Sequence, residues 1–176
     1  MINNTIMSEK KISPEELTVE KLSRNHDLAS FHCGDDDLDE FILQDALPQR
    51  KDRLNQTYIC RYHGEIIAFF TVSADSIKIN KNDKKRIGVN YPAFPSIKIG
   101  RLAVHEDHKR KNVGSILIMY AVGLALELGE KVGVRFISVD AYQGIEKFYE
   151  KNYFVELAEC EDRHVAMYTD LEDWTS

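Results

Sequence analysis

The stretch that decides the fold runs from residue 99 to residue 115 and reads Ile-Gly-Arg-Leu-Ala-Val-His-Glu-Asp-His-Lys-Arg-Lys-Asn-Val-Gly-Ser. Its first half has the apolar pattern of a strand, and its second half is a basic turn. From Val113 onward, apolar residues keep helical spacing for four turns, until Gly129. A strand that leads through a turn to a helix N-terminus directs several backbone N–H groups to one point, where the helix dipole adds positive potential. The stretch therefore predicts an anion-binding site between a strand and a helix.

Strand and helix patterns continue on both sides of this unit. Before it, the sequence predicts a strand at Leu17 to Leu22, a helix from Asp35 to Ala46, a hairpin of Thr57 to Tyr62 with Ile66 to Val72, and a loop from Lys81 to Pro95. It then predicts strands at Ile97 to Val104, Val134 to Val139 and Val165 to Tyr168, and a short helix around Ile145 to Tyr149. Antiparallel hairpins followed by a strand–helix–strand unit predict a mixed α/β (α+β) fold with helices flanking a mixed sheet.

Composition narrows the class of protein. The 176 residues are 43% apolar and 30% charged, which predicts one folded domain without a disulfide or metal staple. No apolar run approaches the roughly 18 residues of a membrane span. Residues 1–13 are polar and lack the apolar core of a signal peptide, so we expect a flexible tail there and a domain over residues 14–176. Three widely spaced cysteines, Cys33, Cys60 and Cys160, argue against a disulfide framework or a metal site and favour the cytoplasm.

Charge is unevenly distributed along the chain. The net charge is −6, which argues against nonspecific coating of nucleic acid. Between Lys78 and Lys111, however, ten basic residues stand against three acidic ones, so this segment carries +7 and the remainder carries −13. Such an asymmetry predicts a localised anionic ligand. For the segment from Lys81 to Arg86 alone, a solvated lysine-rich loop is an equally good interpretation.

Two motifs carry a resemblance to a known family. Lys109-Arg-Lys-Asn-Val-Gly114 resembles the acetyl-CoA pyrophosphate loop of the GNAT acetyltransferases, (Q/R)-x-x-G-x-(G/A), with Asn112 at the first glycine position. Asparagine suits that position because it adopts positive φ more readily than most residues. Further on, Val139-Asp-Ala141 and Phe148-Tyr-Glu-Lys-Asn-Tyr-Phe154 resemble the family's VDA…FYxKxGF segment, with Tyr153 where glycine is usual.

This resemblance implies a fold, a cofactor and a set of contacts. The fold would be the GNAT fold, a mostly antiparallel sheet of six to seven strands flanked by about four helices. The donor would be acetyl-CoA, with no metal, and the backbone of the strand would hold its pantetheine arm if that strand splays from its parallel neighbour. The implied acetyl-CoA contacts are Leu102, Ala103, Val104, Lys109, Arg110, Lys111, Asn112, Val113, Gly114, Ser115 and Phe148.

The resemblance also implies that Tyr149 is the catalytic residue, a general acid toward the departing sulfur. Without it, Tyr149 would be interpreted as a core aromatic residue beside Phe148. No general base is evident, since His105 and His108 are best interpreted as neutral surface side chains. An α-amine with a pKa of about 8 needs little help, because part of it is neutral at pH 7. We expect Cys33 to be a buried packing residue rather than a nucleophile.

A second resemblance concerns the acceptor. The segments Phe31-His-Cys-Gly34, Leu38-Asp-Glu-Phe41 and Ile99-Gly-Arg-Leu-Ala-Val104 are similar to those of toxin-type GNAT acetyltransferases from toxin–antitoxin pairs. That implies aminoacyl-tRNA as the amine acceptor and an antitoxin protein as a partner. Two alternatives stay open, namely acetylation of a small amine or a protein N-terminus, and a catalytically silent module that binds acetyl-CoA. No membrane partner is expected, and a homodimer is compatible with either acceptor.

Overall fold

One sheet of seven strands organises the part of the chain that the computed structural model describes, residues 10–157 and 164–175. The strands are β1 (Leu17–Lys21), β2 (Gln56–Tyr62), β3 (Glu65–Ile77), β4 (Phe94–Val104), β5 (Phe136–Tyr142), β6 (Val155–Glu156) and β7 (His164–Asp170). Their order in the sheet is β1-β2-β3-β4-β5-β7-β6, and the β4–β5 pair is parallel while the other five pairs are antiparallel. The prediction of a mixed, mostly antiparallel sheet of six to seven strands is confirmed.

Helical segments cover both faces of the sheet. They are α1 (Asp36–Glu40), a π-helical turn (Phe41–Asp45), α2 (Ala46–Lys51), α3 (Lys81–Ile87), α4 (Val113–Gly129) and α5 (Glu146–Lys151). The first three follow one another without a break, so residues 10–157 and 164–175 contain about four separate helices, as predicted. The Asp35 carboxylate caps α1 by accepting a hydrogen bond from the Leu38 N–H at 3.1 Å, as acidic residues before a helix indicate.

The predicted loop from Lys81 to Pro95 is wrong in its first half, because residues 81–87 form α3. The Asn80 side chain caps this helix by accepting from the Asp83 N–H at 2.8 Å, and Gly88 ends it with a φ of +73°. The density of lysine and asparagine concealed these two end signals. Strand β6 was also not predicted, since two residues carry too little alternation to be recognised.

The two faces of β3 belong to different parts of the core. Phe70 and its neighbours pack under α4 in a large cluster that includes Leu117 and Ile137, whereas Phe69 packs under α1 and the π-helical turn with Phe41. Successive residues of a strand point to opposite faces, so the pair Phe69-Phe70 holds both helical layers. Both rings are fully buried, at 0% exposure.

Strands β4 and β5 are paired along only part of their length and then diverge. They pair only from Ser96 to Ile99, opposite residues 136–139. Beyond Ile99, β4 continues to Val104 beside β3 alone, so its edge toward β5 is unpaired. The expected splay is therefore present, and it opens a gap in the sheet at the end of the strand that precedes the basic turn.

The remaining sequence predictions concern the tail, the cysteines and membranes. Residues 1–9 of the predicted tail lie outside the described residues, whereas Ile12 is 4% exposed and its N–H donates to the Lys111 carbonyl at 2.9 Å, so the packed part of the chain includes Ile12. Cys33 and Cys60 are buried free thiols, and Cys160 lies outside the described residues. Within residues 10–157 and 164–175, no helix is long and apolar enough to cross a membrane, and no cluster of metal-ligating side chains occurs.

Candidate active site

Two adjoining cavities occupy the gap between β4 and β5. The first, of about 480 Å³, lies among β4, β5 and the loop before α1, and the second, of about 360 Å³, lies at the N-terminus of α4. Five residues line both cavities: Leu102, Val104, Lys109, Ile145 and Tyr149. We call the first cavity, of about 480 Å³, the acceptor cavity, and the second, of about 360 Å³, the cofactor cavity. Tyr149 thus stands where the two meet.

The basic turn places backbone N–H groups without a helical acceptor at the cofactor cavity. Arg110 and Asn112 have φ values of +63° and +74°, so the chain turns sharply into α4 through two left-handed residues. The Asn112 side chain makes no capping hydrogen bond, and the first bond within the helix runs from the Ile116 N–H to the Asn112 carbonyl at 3.2 Å. The N–H groups of residues 113–115 therefore have no helical acceptor and form an anion-binding site. The expectation that asparagine serves at this left-handed position is confirmed.

Gly114 brings the turn and α5 together. A Cβ atom at this position would lie 3.0 Å from Cζ and 3.2 Å from Cε2 of the Phe148 ring, which is tighter than most Cβ contacts and would require the ring to shift by a few tenths of an ångström. The absence of a side chain thus lets Phe148 pack directly on the first turn of α4. This contact joins the basic turn, which ends at Gly114, to the segment from Phe148 to Phe154, and both segments carry the family resemblance.

The structure brings most of the predicted site residues together. Ten of the twelve line the cofactor cavity: Leu102, Val104, Lys109, Arg110, Asn112, Val113, Gly114, Ser115, Phe148 and Tyr149. Ala103 lines the acceptor cavity instead. Lys111 lies in neither, because its ammonium donates to the Asp107 carbonyl at 2.7 Å on the far side of the turn. Its predicted contact with acetyl-CoA has no support from this geometry.

Lys109 ties the basic turn to the loop before α1. Its ammonium donates to the Cys33 carbonyl at 2.6 Å, across 76 residues of sequence. Lys109 lines both cavities, so one cationic side chain contributes to the electrostatics of each.

Tyr149 is buried and keeps its proton. The side chain is 4% exposed and packs edge-on against Phe148 and Phe154, with ring centroids 5.0 and 5.5 Å away. Burial raises the pKa of the Tyr149 phenol to about 12, so the hydroxyl is protonated throughout the physiological range. A neutral phenol at the junction of the two cavities can donate a proton but cannot serve as a base.

Neither the Cys33 thiol nor the two histidines near the basic turn, His105 and His108, is placed as a nucleophile or a general base. Burial raises the pKa of the Cys33 thiol to about 11, which leaves little thiolate at neutral pH and confirms its interpretation as a packing residue. Burial, followed by the charge of Lys111, lowers the pKa of His108, so this ring is neutral at pH 7. The His105 Nδ1 accepts from the Asp107 N–H at 3.2 Å and so caps the turn.

Sequence reasoning missed four residues that line the cofactor cavity, namely Lys11, His108, Ile145 and Lys151. Lys151 follows Phe148 by three residues and shares its helix face, so the helical period could have identified it. Lys11 reaches the cavity from the polar N-terminal segment, and no pattern in the sequence indicates that contact.

Comparison with known proteins identifies the family. The Acetyltransferase (GNAT) family matches residues 20–154, which span most of the chain and include β4, the basic turn, α4 and Tyr149. The chain belongs to the GNAT acetyltransferase family. The mixed sheet, the splayed β4 and the exposed N–H groups of α4 are thus the elements of a GNAT acetyltransferase.

Relatives within the family share the fold along nearly the whole chain. A tRNA-acetylating toxin of Mycobacterium tuberculosis is 22% identical over 148 residues, which are 84% of this chain and 89% of the relative. The structure of AtaT complexed with acetyl-methionyl-tRNAfMet superposes with a TM-score of 0.81 at 21% identity, over 90% of this chain and 97% of that one. A Tyr-to-Phe mutant of the AtaT toxin, bound to the C-terminus of the antitoxin AtaR and acetyl-CoA, gives 0.75 at 20% identity, over 90% and 95%.

Paired substitutions at Asn112 test the left-handed turn. Asn112→Val should lower the free energy of unfolding by about 1–2 kcal/mol, because a β-branched residue resists positive φ. It should also weaken acetyl-CoA binding about tenfold, since the N–H groups of α4 lose their fixed direction. Asn112→Gly should preserve both quantities. Chemical denaturation and titration calorimetry measure the two effects, with Asn90→Val, at an exposed position without positive φ, as the control. Equal behaviour of the valine and glycine variants at residue 112 would contradict this account.

Proposed function

We propose that this chain is the toxin of a toxin–antitoxin pair, and that it transfers the acetyl group of acetyl-CoA to the amino group of an aminoacyl-tRNA in the cytoplasm. The observation that carries the proposal is the position of Tyr149. A buried, protonated phenol stands between a cavity built to bind phosphates and a second cavity that is open to an acceptor.

Different residues of the cofactor cavity bind different parts of acetyl-CoA. Acetyl-CoA supplies the activated thioester. The N–H groups at residues 113–115, together with Lys109 and Arg110, bind its pyrophosphate, and the unpaired edge of β4 beyond Ile99 offers backbone groups to its pantetheine arm. Phe148 and Leu102 supply apolar contact along the same path. These contacts direct the thioester toward Tyr149.

Tyr149 acts when the carbon–sulfur bond breaks. The neutral acceptor amine attacks the thioester carbonyl, so that a nitrogen–carbon bond forms while the carbon–sulfur bond breaks. The Tyr149 hydroxyl donates its proton to the departing sulfur, and the amine nitrogen releases its own proton to water. The phenol then regains a proton from solvent. A base is not required, because an α-amine with a pKa of about 8 is partly neutral at pH 7.

The acceptor cavity supports an aminoacyl acceptor. Cys33 and Leu38, from the two segments that resemble the toxin-type enzymes, line this cavity together with Asp35. Similarity to a tRNA-acetylating toxin, and to structures solved with an acetylated tRNA and with an antitoxin, supports the same acceptor and an antitoxin partner.

The test uses the purified chain with labelled acetyl-CoA and bulk charged tRNA. We expect label in the aminoacyl group of charged tRNA, little label in uncharged tRNA, and slow transfer to a peptide or polyamine. Induction in a bacterial host should arrest growth, and Tyr149→Phe should relieve the arrest. Rapid acetylation of the peptide or polyamine, with charged tRNA left unmodified, would overturn the proposal and leave the family assignment intact.

A further inference from the structure

Arg101 reaches the acceptor cavity because of an irregularity in the sheet. The pairing of β3 with β4 shifts between Thr71 and Val72, which lie opposite Arg101 and Ile99 respectively. Gly100 is therefore the extra residue of a β-bulge in β4. Without the bulge, Arg101 would share the α4 face with Ile99. With it, Arg101 lies on the other face, where α1 and the π-helical turn pack. Bulges often redirect a side chain next to an active site, and this one does so for a cation.

An aromatic ring holds the redirected cation in place. The Cζ of Arg101 lies 3.8 Å from the ring centroid of Phe41, which is the first residue of the π-helical turn and is 2% exposed. The ring orients the guanidinium but supplies no conventional hydrogen-bond acceptor. Among residues 10–157 and 164–175, no carboxylate forms an ion pair with Arg101 and no acceptor hydrogen-bonds to it. Arg101 lines the acceptor cavity, so guanidinium N–H donors without a partner among these residues are available to an incoming acceptor.

The other charges of the acceptor cavity are already engaged. Asp140 pairs with Lys98 at 2.5 Å, and Lys109 donates to the Cys33 carbonyl. Asp35 is occupied by the capping bond to α1. Arg101 is therefore the cation with the greatest capacity left for an incoming group, and a guanidinium fork matches the oxygens of a phosphate.

We propose that Arg101, oriented by Phe41, binds a backbone phosphate of the acceptor strand next to its aminoacylated 3′ end, and so selects a nucleic-acid acceptor over a free amine. The inference rests on the proposed function, since it concerns the same acceptor. An aminoacyl-tRNA end presents an amine and a nearby phosphate, whereas an amino-acid ester presents the amine alone. Arg101 is then a specificity-determining residue that has no part in the chemical step.

The experiment compares aminoacyl-tRNA with an amino-acid methyl ester as acceptors for variants of the full chain. Arg101→Gln should raise KM for aminoacyl-tRNA at least tenfold, with kcat within about threefold, and should leave the kinetics with the corresponding amino-acid methyl ester within about twofold. The slope of log KM against log salt concentration should decrease by about 1, the amount expected for the loss of one phosphate contact. Arg101→Lys should restore part of the affinity for aminoacyl-tRNA. Arg24→Gln is the matched control, because it removes the same charge from an exposed site at a different cavity and should change nothing.

A second variant separates the role of the ring from that of the charge. Phe41→Leu keeps the net charge but removes the surface that holds the guanidinium, so KM for aminoacyl-tRNA should rise severalfold while the ester is unaffected. The inference is overturned if Arg101→Gln raises KM for the ester and the tRNA equally, or leaves the salt dependence at the parental value. If the parent chain does not acetylate aminoacyl-tRNA at all, the proposed function fails first, and this inference fails with it.

Discussion

A Gly114→Glu variant should bind acetyl-CoA too weakly for titration calorimetry to detect. Its Cβ would lie 3.0 Å from Cζ of Phe148 and push that ring aside, and its carboxylate would place a negative charge among the N–H groups that we propose bind the pyrophosphate. Both effects act on binding, so transfer should be lost together with affinity. The variant should remain folded, because Gly114 lies in the first turn of α4 and is not fully buried.

Gly123→Glu provides the matched control on the same helix. No atom lies within 4 Å of a Cβ built at Gly123, and the residue is exposed on the outer side of α4. This variant should bind acetyl-CoA as the parent does, and it should be more stable by roughly 0.5–1 kcal/mol because glycine is a poor helix former. Unchanged affinity in Gly114→Glu would refute the assigned phosphate site.

Tyr149→Phe should lower kcat about 10²–10³-fold and leave acetyl-CoA affinity nearly unchanged. The phenyl ring preserves the edge-on contacts with Phe148 and Phe154, so only the proton donor is lost. Because burial raises the pKa of Tyr149 to about 12, deprotonation of this phenol should not reduce the parent's activity below about pH 10. The parent's rate should instead rise with pH as the acceptor amine loses its proton, with an apparent pKa near 8.

Tyr142→Phe is the control for this second prediction. Tyr142 also lines the acceptor cavity but is 44% exposed and lies away from the cofactor cavity, so its variant should keep the parental rate within about threefold. Stopped-flow or radiometric turnover on charged tRNA distinguishes the two tyrosines. A Tyr149→Phe enzyme within a few-fold of the parent would make Tyr149 a packing residue and return the question of the proton donor to Tyr142.

The sequence predicted well what depends on neighbouring residues. The strand, turn and helix around residues 99–129 and the left-handed Asn112 follow from local periodicity and from motifs of fixed spacing. At Tyr153 the sequence showed only a departure from the family's usual glycine, and the φ of +67° found there is the conformation that glycine suits.

The sequence did not predict what depends on register and on distant segments. Whether Arg101 faces α4 or the acceptor cavity is decided by a bulge of one residue. Gly100 is a signal for such a bulge, since glycine inside a strand often marks one, but it does not by itself establish the shift in register. Lys111 appeared equivalent to Lys109 and Arg110 in a run of three cations, but the turn directs its ammonium to the far side. α3 was overlooked because charge density concealed its two end signals.

The unpaired edge of β4 has a thermodynamic consequence for the protein as a whole. Backbone groups that lack a strand partner contribute less to folding, and each missing hydrogen bond is worth about 1 kcal/mol. A ligand that lies along this edge and does not bind the unfolded chain shifts the folding equilibrium by mass action, by about 2.7 kcal/mol at one hundred times its Kd. If acetyl-CoA binds in this gap as proposed, the stability of the folded chain depends on the cell's supply of the donor, so that a shortage of acetyl-CoA should lower activity and resistance to proteolysis together.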